Sequence, residues 1–341
     1  MVANINDLEK LLTVSAACGN EIAYAQMLCQ IVEDMGLGFC VSIDRINNVI
    51  VQTEKTNKPN LMLEVHFDEI SLIVSEIVAP GFLKVKNVGG IDCRCLPACE
   101  VIVNGLHGII CSRPPHLFKV GEKECFPDID GIYVDLGLDY DSISEKIQVG
   151  DRVHICAGVH ELLNGRIAAK ALDNKISVYT ILCALNNLKD SILSNRLAYD
   201  LTILFASQEE IGSRGVKTGV YQINPDKAIC IDVTFAAQPG VKYSPELGSG
   251  VVIEHSPFFD KKMTRNLIDL AIRHKIPYTV NVQAGASGTD GDIVPISCRG
   301  VSTAVLSIPQ RNMHTPVEVC DMLDIESTVR LICAYVREGA Y

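Results

Sequence analysis

The sequence predicts an α/β fold into which a separate β-rich domain has been inserted. Two patterns carry this expectation. Towards both ends of the chain, apolar runs of strand length alternate with helical periodicity, whereas the stretch 71–158 consists of short β-rich runs broken by Gly, Pro and Asp. The length, 341 residues, is enough for more than one hydrophobic core.

Taken in order, Ile5, Leu8, Leu11 and Leu12 share one helical face, and Asn20 is placed to cap a second helix reaching about Met35, with Gly36 as its stop. Strand-like runs follow at Val41–Ile43 and Val49–Gln52 with Asn47-Asn48 between them, and then Leu61–Val65 with His66 at its carboxyl end. Within the insert, Ser71–Ile77, Phe82–Val85, Val101–Val103, Gly108–Cys111, Gly131–Leu136 and Arg152–Cys156 read as the strands of a small β-barrel or sandwich, uninterrupted by a long helical period. Asn164-Gly165 reads as a tight turn. Helix–strand alternation then resumes: a helix from near Asp173 to about Lys189, a buried strand Leu201–Ala206, a strand Lys227–Ile231 ending at Asp232, a helix Leu267–His274, and a strand Thr303–Leu306. The domains are expected at 1–70 together with 159–341, and at 71–158.

Composition narrows the function. Hydrophobic residues make up 48% of the chain and charged residues 21%, as in an ordinary soluble globular protein. The net charge of −11 argues against nucleic-acid or anionic-membrane partners, both of which need basic surface. The first residues, Met1 to Asp7, have neither a basic flank nor an apolar signal core, and no apolar run approaches membrane-spanning length. The expectation is a cytoplasmic enzyme. Several of the fourteen cysteines lie inside apolar runs, as in Ile181–Ala184 and Ala228–Ile231, where Cys acts as a small hydrophobe. Cys93, Cys95 and Cys99 fit no common zinc spacing and read as three thiols on a strand and turn.

The chemistry-bearing residues are Gln208-Glu209-Glu210-Ile211-Gly212 together with His66, Asp173, Asp232 and His314. His nitrogen and carboxylate oxygen suit zinc or a similar borderline ion. Two such ions about 3.5–4 Å apart can hold one hydroxide and polarise a carbonyl, with a carboxylate bridging them. Asp173 is suited to bridge, with His66 and Asp232 on one ion and Glu210 and His314 on the other. Three ligand carboxylates against two divalent ions leave one positive charge for a hydroxide and a developing oxyanion. In extended chain Glu209 and Glu210 point opposite ways, which frees Glu209 for proton transfer. Asp68 can accept the other ring N–H of His66.

With these residues in place, the chain resembles the M42 metallo-aminopeptidases, the group that includes glutamyl and deblocking aminopeptidases. The matching segments are His66-Phe67-Asp68-Glu69-Ile70, Ala171–Lys175, Gln208–Gly212, Ile231-Asp232, Gly288-Thr289-Asp290 and Ile308–Glu318, in the family's order from the first fifth of the chain almost to its end. The resemblance implies a mixed central sheet flanked by helices with an inserted β domain used in assembly, and metal ligands at His66, Asp173 (bridging), Glu210, Asp232 and His314. It also implies Glu209 as catalytic base, two divalent ions per subunit (zinc, or cobalt or manganese), short peptide substrates, and a homo-oligomer of dimers building a dodecamer. Lys175 stands where relatives often carry Arg, and Ser213 where an apolar residue is common; neither removes a ligand.

Two other readings compete. Relatives have been labelled endoglucanases, but glycosidases use two carboxylates facing a sugar, and this chain has no Trp and only 6% aromatics for stacking on sugar rings. A noncatalytic assembly or binding protein that kept the fold would not require all five ligand candidates and the base to be present.

Overall fold

The computed structural model describes residues 5–117, 128–242 and 244–339. The reading of residues 1–4 lies outside these, as does the side chain of Ile5. Among the described residues, eleven strands form one mixed sheet and six more close into a separate barrel.

The centre of the sheet is four parallel strands in the spatial order Asp200–Ala206, Asn60–His66, Lys227–Phe235 and Ser302–Arg311. Antiparallel strands widen it on one side (Val49–Gln52, then Cys40–Ile43) and on the other (Glu318–Asp321, Arg166–Ala169, His160–Leu162). Left-handed backbone at Asn164 and Gly165 turns the last two onto each other, as expected of that dipeptide. Val251–His255 and Tyr278–Val282 branch from Ser302–Arg311.

Period-two alternation decides which side chains face which layer. Leu61, Leu63 and Val65, with Ile229, Ile231 and Val233, pack under the helices Leu172–Leu193 and Met322–Glu338. Met62, Ala228 and Cys230 pack on the opposite side with Val216, Val220 and Ile223 of the helix Arg214–Ile223. His66 and Asp232 continue this second row. A one-residue slip would turn both apolar rows over, so the burial that sets the register also sets the direction of these two side chains.

The barrel consists of Ser71–Val78, Phe82–Val88, Ile132–Asp135, Leu106–Ser112, Glu100–Val103 and Arg152–Ile155, closing on the first. All six expected runs are present as strands. Among the described residues one short α-helix, Tyr140–Lys146, interrupts them, and the barrel has its own core of Leu72, Val74, Leu83, Val101, Ile110, Val134 and Val153.

Several local expectations need correction. The second helix is Ile22–Asp34 with Glu21, not Asn20, at its N-cap; Asn20 instead donates its main-chain N–H to Ala17 in the preceding turn. The strand expected to stop at Asp232 runs on to Phe235, because Ser302–Arg311 pairs with it residue by residue as far as Gln310. The helix read as Leu267–His274 starts at Lys261, where Asp260 accepts hydrogen bonds from the main-chain N–H groups of Lys262 and Met263. Cys93–Cys95 form a 3-10 turn and Cys99 precedes a strand, its thiol donating to Cys95 O at 3.0 Å. Among the described residues no metal-ligand grouping includes them. No described helix is long and apolar enough to cross a membrane.

One buried side chain ties the fold to the turn that carries the two glutamates. Asn48 Oδ1 accepts from Ser207 N at 2.9 Å, while its Nδ2 donates to Gly215 O at 2.9 Å and to Asp44 Oδ2 at 2.7 Å. A Cβ on Gly215 would sit 2.0 Å from Ser207 O and 2.5 Å from Asn48 Oδ1. Gly215→Ala is therefore expected to destabilise the protein by about 3 kcal/mol through main-chain displacement, read as a lowered urea midpoint of the metal-free protein. An unchanged midpoint would mean that this turn has slack the packing does not suggest.

Candidate metal centre

His66, Asp173, Glu209, Glu210, Asp232 and His314 converge towards the carboxyl-end side of the four parallel strands, where open α/β sheets gather ligands. His66 ends its strand, Glu209 and Glu210 follow Asp200–Ala206, His314 lies three residues past Arg311, and Asp232 lies inside its strand. Asp173 enters from the helix Leu172–Leu193, at a residue whose backbone (φ −79°, ψ 105°) is not yet helical.

Two donor groups result. Ligand atoms of His66, Asp173 and Asp232 lie within 4.8 Å of one another, and so do those of Asp173, Glu210 and His314. Asp173 belongs to both: Oδ1 is 3.2 Å from His66 Nε2 and Oδ2 is 3.4 Å from His314 Nε2. Asp232 Oδ1 is 3.6 Å from His66 Nε2, and Glu210 Oε2 is 3.5 Å from His314 Nε2. Glu209 Oε2 approaches His66 Nε2 only to 4.0 Å.

The tautomer of His314 tests whether a cation fits. Its Nδ1 is 2.9 Å from the carbonyl of Gly90, which can only accept, so Nδ1 carries the proton. A neutral ring then turns its Nε2 lone pair towards two carboxylates, an arrangement that requires a positive species between them. Either a proton or a metal ion meets that need. In the chain by itself the Asp173 carboxylate pushes His314 up to about 9, and a divalent ion accepting the same nitrogen and oxygens would serve equally. The donor set fits zinc or a similar ion. Gly90 belongs to the loop after the barrel strand Phe82–Val88, so the insert itself orients His314. A Cβ there would lie 2.9 Å from Nδ1.

The double glutamate is not extended chain. Gln208 is left-handed (φ 58°), and Gly212 N and Ser213 N both donate to Glu209 O, so the segment is a turn. This turn, rather than strand alternation, sends Glu209 towards His66 and Glu210 towards His314. Asp68 secures it, accepting from Glu209 N at 2.9 Å and Glu210 N at 3.1 Å, and also from the Cys18 thiol at 3.0 Å. Asp68 Oδ1 faces His66 Nδ1 at 3.6 Å, longer than a hydrogen bond.

Three further buried carboxyls face the site. Glu318 accepts from Asp173 N and His314 N. Glu64 lies one row before His66, and Asp290 lies in the short turn Asp290–Asp292. Burial and the neighbouring Asp290 push Glu64 well above the usual carboxylate range, and burial lifts Asp290 to about 6. Burial likewise raises Glu210 and Asp232, whereas the two histidines outweigh burial at Asp173 and hold it well below that range. Reading from residues gave Glu64, Asp290 and Glu318 no role. Asp290 and Glu318 did lie in segments that carry the family resemblance, and Glu64 stood out as a charge inside an apolar strand.

The profile of the family described as M42 glutamyl aminopeptidase matches residues 47–331. A lysyl aminopeptidase of Pyrococcus furiosus is 33% identical over 307 residues, covering 87% of each chain. Among solved structures, aminopeptidase APDkam598 from the archaeon Desulfurococcus kamchatkensis superposes with a TM-score of 0.89 at 29% identity, covering 98% of this chain and 95% of its own. The Pyrococcus horikoshii TET1 peptidase, which can assemble into a tetrahedron or a large octahedral shell, superposes with a TM-score of 0.86 at 26% identity, covering 98% of this chain and 99% of its own. With the family profile spanning most of the chain, and the sheet, barrel and clustered His, Asp and Glu residues already in view, the chain belongs to the M42 glutamyl aminopeptidase family and is an aminopeptidase, a hydrolase.

Proposed function

We propose that the chain removes N-terminal residues from short peptides by hydrolysis at a centre of two divalent metal ions, with Glu209 as general base. The observation that supports this most is the double engagement of Asp173, whose two oxygens face two different histidines. His66, Asp173 and Asp232 would hold one ion and Asp173, Glu210 and His314 the other. Zinc is the proposed metal, with cobalt and manganese compatible with the same donors. When bound, such ions supply Lewis acidity and a more acidic water.

Glu209 lies 4.0 Å from His66 of the first donor group and belongs to neither group. It takes the proton of the attacking water and returns it to the leaving amine. In the chain alone burial, with help from Asp290 and Asp232, pushes Glu209 up to about 10. Two divalent ions held by the neighbouring ligands would oppose that rise and favour the ionised carboxylate that a base needs. Asp68 serves the reaction by holding the Glu209-Glu210 turn against His66. Residues 1–70 and 159–341 form the catalytic domain in this reading. Residues 71–158 form an insert used in assembly into homo-oligomers, dimers building a dodecamer; the shell assembly of the Pyrococcus horikoshii peptidase supports this part.

Dialysis against a strong chelator is expected to lower hydrolysis of a panel of aminoacyl-anilides by more than about 100-fold, a loss on the scale of removing electrostatic stabilisation from an active site. Adding back zinc, cobalt or manganese one at a time should restore it. Full peptidase activity with all metal removed would sink the proposal, and cellulose hydrolysis that survives the chelator would favour the glycan reading.

A further inference from the structure

We propose that Glu318 is a positioning residue that sets the separation of Asp173 and His314 by holding both through their main-chain N–H groups. The proposal rests on the reading of those two residues as ligands of one ion. Glu318 Oε2 accepts from Asp173 N at 3.0 Å and Oε1 accepts from His314 N at 2.9 Å, and the residue is 1% exposed.

Both N–H groups belong to chain that regular structure does not hold. Asp173 lies at the irregular start of its helix, two residues after left-handed Ala171 (φ 53°). His314 is itself left-handed (φ 62°), in a turn shared with Asn312 (φ 56°). A helix's first N–H groups have no partner within the helix, and a buried N–H left unpaired costs about 1–3 kcal/mol. One carboxylate satisfies both donors here. Because its two oxygens are rigidly spaced, it also fixes the two donor residues relative to each other.

The topology explains why Glu318 can do this. It opens the strand Glu318–Asp321 and pairs with Ala169, four residues before Asp173. His314 lies four residues before Glu318 in the chain. The strand pair therefore anchors one carboxylate between the two irregular segments. Asp68 acts in the same way on Glu209 N and Glu210 N. Two buried carboxylates thus hold the main chain of four of the site residues, while His66 and Asp232 are held by the strands themselves.

This asymmetry yields a test that a merely structural role does not pass. Glu318→Gln turns one acceptor into a donor facing an N–H group. Glu318→Asp keeps the charge but is one methylene too short to span both donors. Metal affinity is to be measured for wild type and both variants by competition with a chromophoric chelator, alongside the visible spectrum of the cobalt-loaded protein and the melting midpoint of the metal-free protein. In both variants the ion held by Asp173, Glu210 and His314 is expected to bind about 10–100-fold more weakly, the usual effect of losing an outer partner of a ligand. The ion held by His66, Asp173 and Asp232 should weaken less than about 10-fold, so only one half of the cobalt spectrum changes. kcat should fall while KM stays within about threefold.

Equal weakening of both ions accompanied by a lowered metal-free midpoint would show that Glu318 only supports the fold, and overturns the proposal. Wild-type affinity in Glu318→Asp overturns it as well, because the span would then be irrelevant. Wild-type protein that takes up no ion pair overturns the two-ion reading itself, and is distinguished from the other failures because it appears before any substitution is made.

Discussion

Glu209→Gln is expected to lower kcat by about 10³-fold, within the range assigned to a positioned acid–base group, while metal content and the thermal midpoint stay at their wild-type values. The substitution keeps the shape and the main-chain hydrogen bond to Asp68, and it removes only the capacity to accept a proton. Glu209 lies outside both donor groups, so losing its charge leaves the ligands untouched. The same substitution at Glu210, whose oxygen shares a donor group with His314 and Asp173, removes a ligand charge and should release metal instead. Neighbouring glutamates with opposite signatures, one losing turnover and the other losing metal, would separate base from ligand. A Glu209→Gln enzyme retaining a tenth or more of wild-type kcat would refute the base assignment.

The sequence was most informative where chemistry and local pattern coincide. His66 follows an apolar run of strand length and the double glutamate follows another, and both ends meet because those two strands are parallel neighbours. The barrel was legible because its strands are short, local and separated by turn residues. What could not be read depends on contacts across long separations. Asp232 was expected at a strand end because the apolar run stops there, yet pairing with Ser302–Arg311 extends the strand through Phe235. Asn20 has a capping side chain, but the turn from Ala17 places Glu21 at the cap position. Glu318 and Gly90 touch the site through main-chain atoms or to main-chain atoms. Such contacts leave no residue-type signature, and no spacing rule points to them. The opposed directions of Glu209 and Glu210 were anticipated, but from strand alternation, whereas a left-handed turn held by Asp68 produces them.

Glu69→Gln is expected to destabilise the protein by about 3–5 kcal/mol, the scale for breaking a buried ion pair by removing one partner. Glu69 follows the His66-Phe67-Asp68 segment and carries no role in the chemistry. Its Oε2 is 2.6 Å from Lys170 Nζ and 3.0 Å from Lys175 Nζ, with Lys175 fully buried, and its Oε1 accepts from Ser15 Oγ at 2.7 Å and Ala16 N at 3.1 Å. Ser15 Oγ is also 2.6 Å from Nδ1 of His154 on the barrel, so Ser15 links this carboxylate to a barrel strand. Lys175 has other support, donating to Val14 O at 2.8 Å and lying 4.7 Å from the centre of the Tyr24 ring. Neither neighbour supplies a negative charge. Burial pushes Lys175 down to about 8 even with Glu69 present, so removing Glu69 leaves an ammonium that must lose its proton or distort the packing. Burial alone would raise Glu69, but Lys170 and Lys175 outweigh it and hold the carboxyl well below its usual range. A carboxyl whose folded pKa is depressed contributes in full above its unfolded pKa of about 4.3 and loses that contribution as pH falls through the folded value. The gap in unfolding free energy between wild type and Glu69→Gln, measured by urea titration of the metal-free proteins, should therefore be largest near neutral pH and narrow progressively below about pH 4.3. A gap under about 1 kcal/mol at pH 7, the range of an exposed pair, would show that the two lysines do not depend on this carboxylate. A large gap that does not narrow in acid would assign the loss to packing rather than charge.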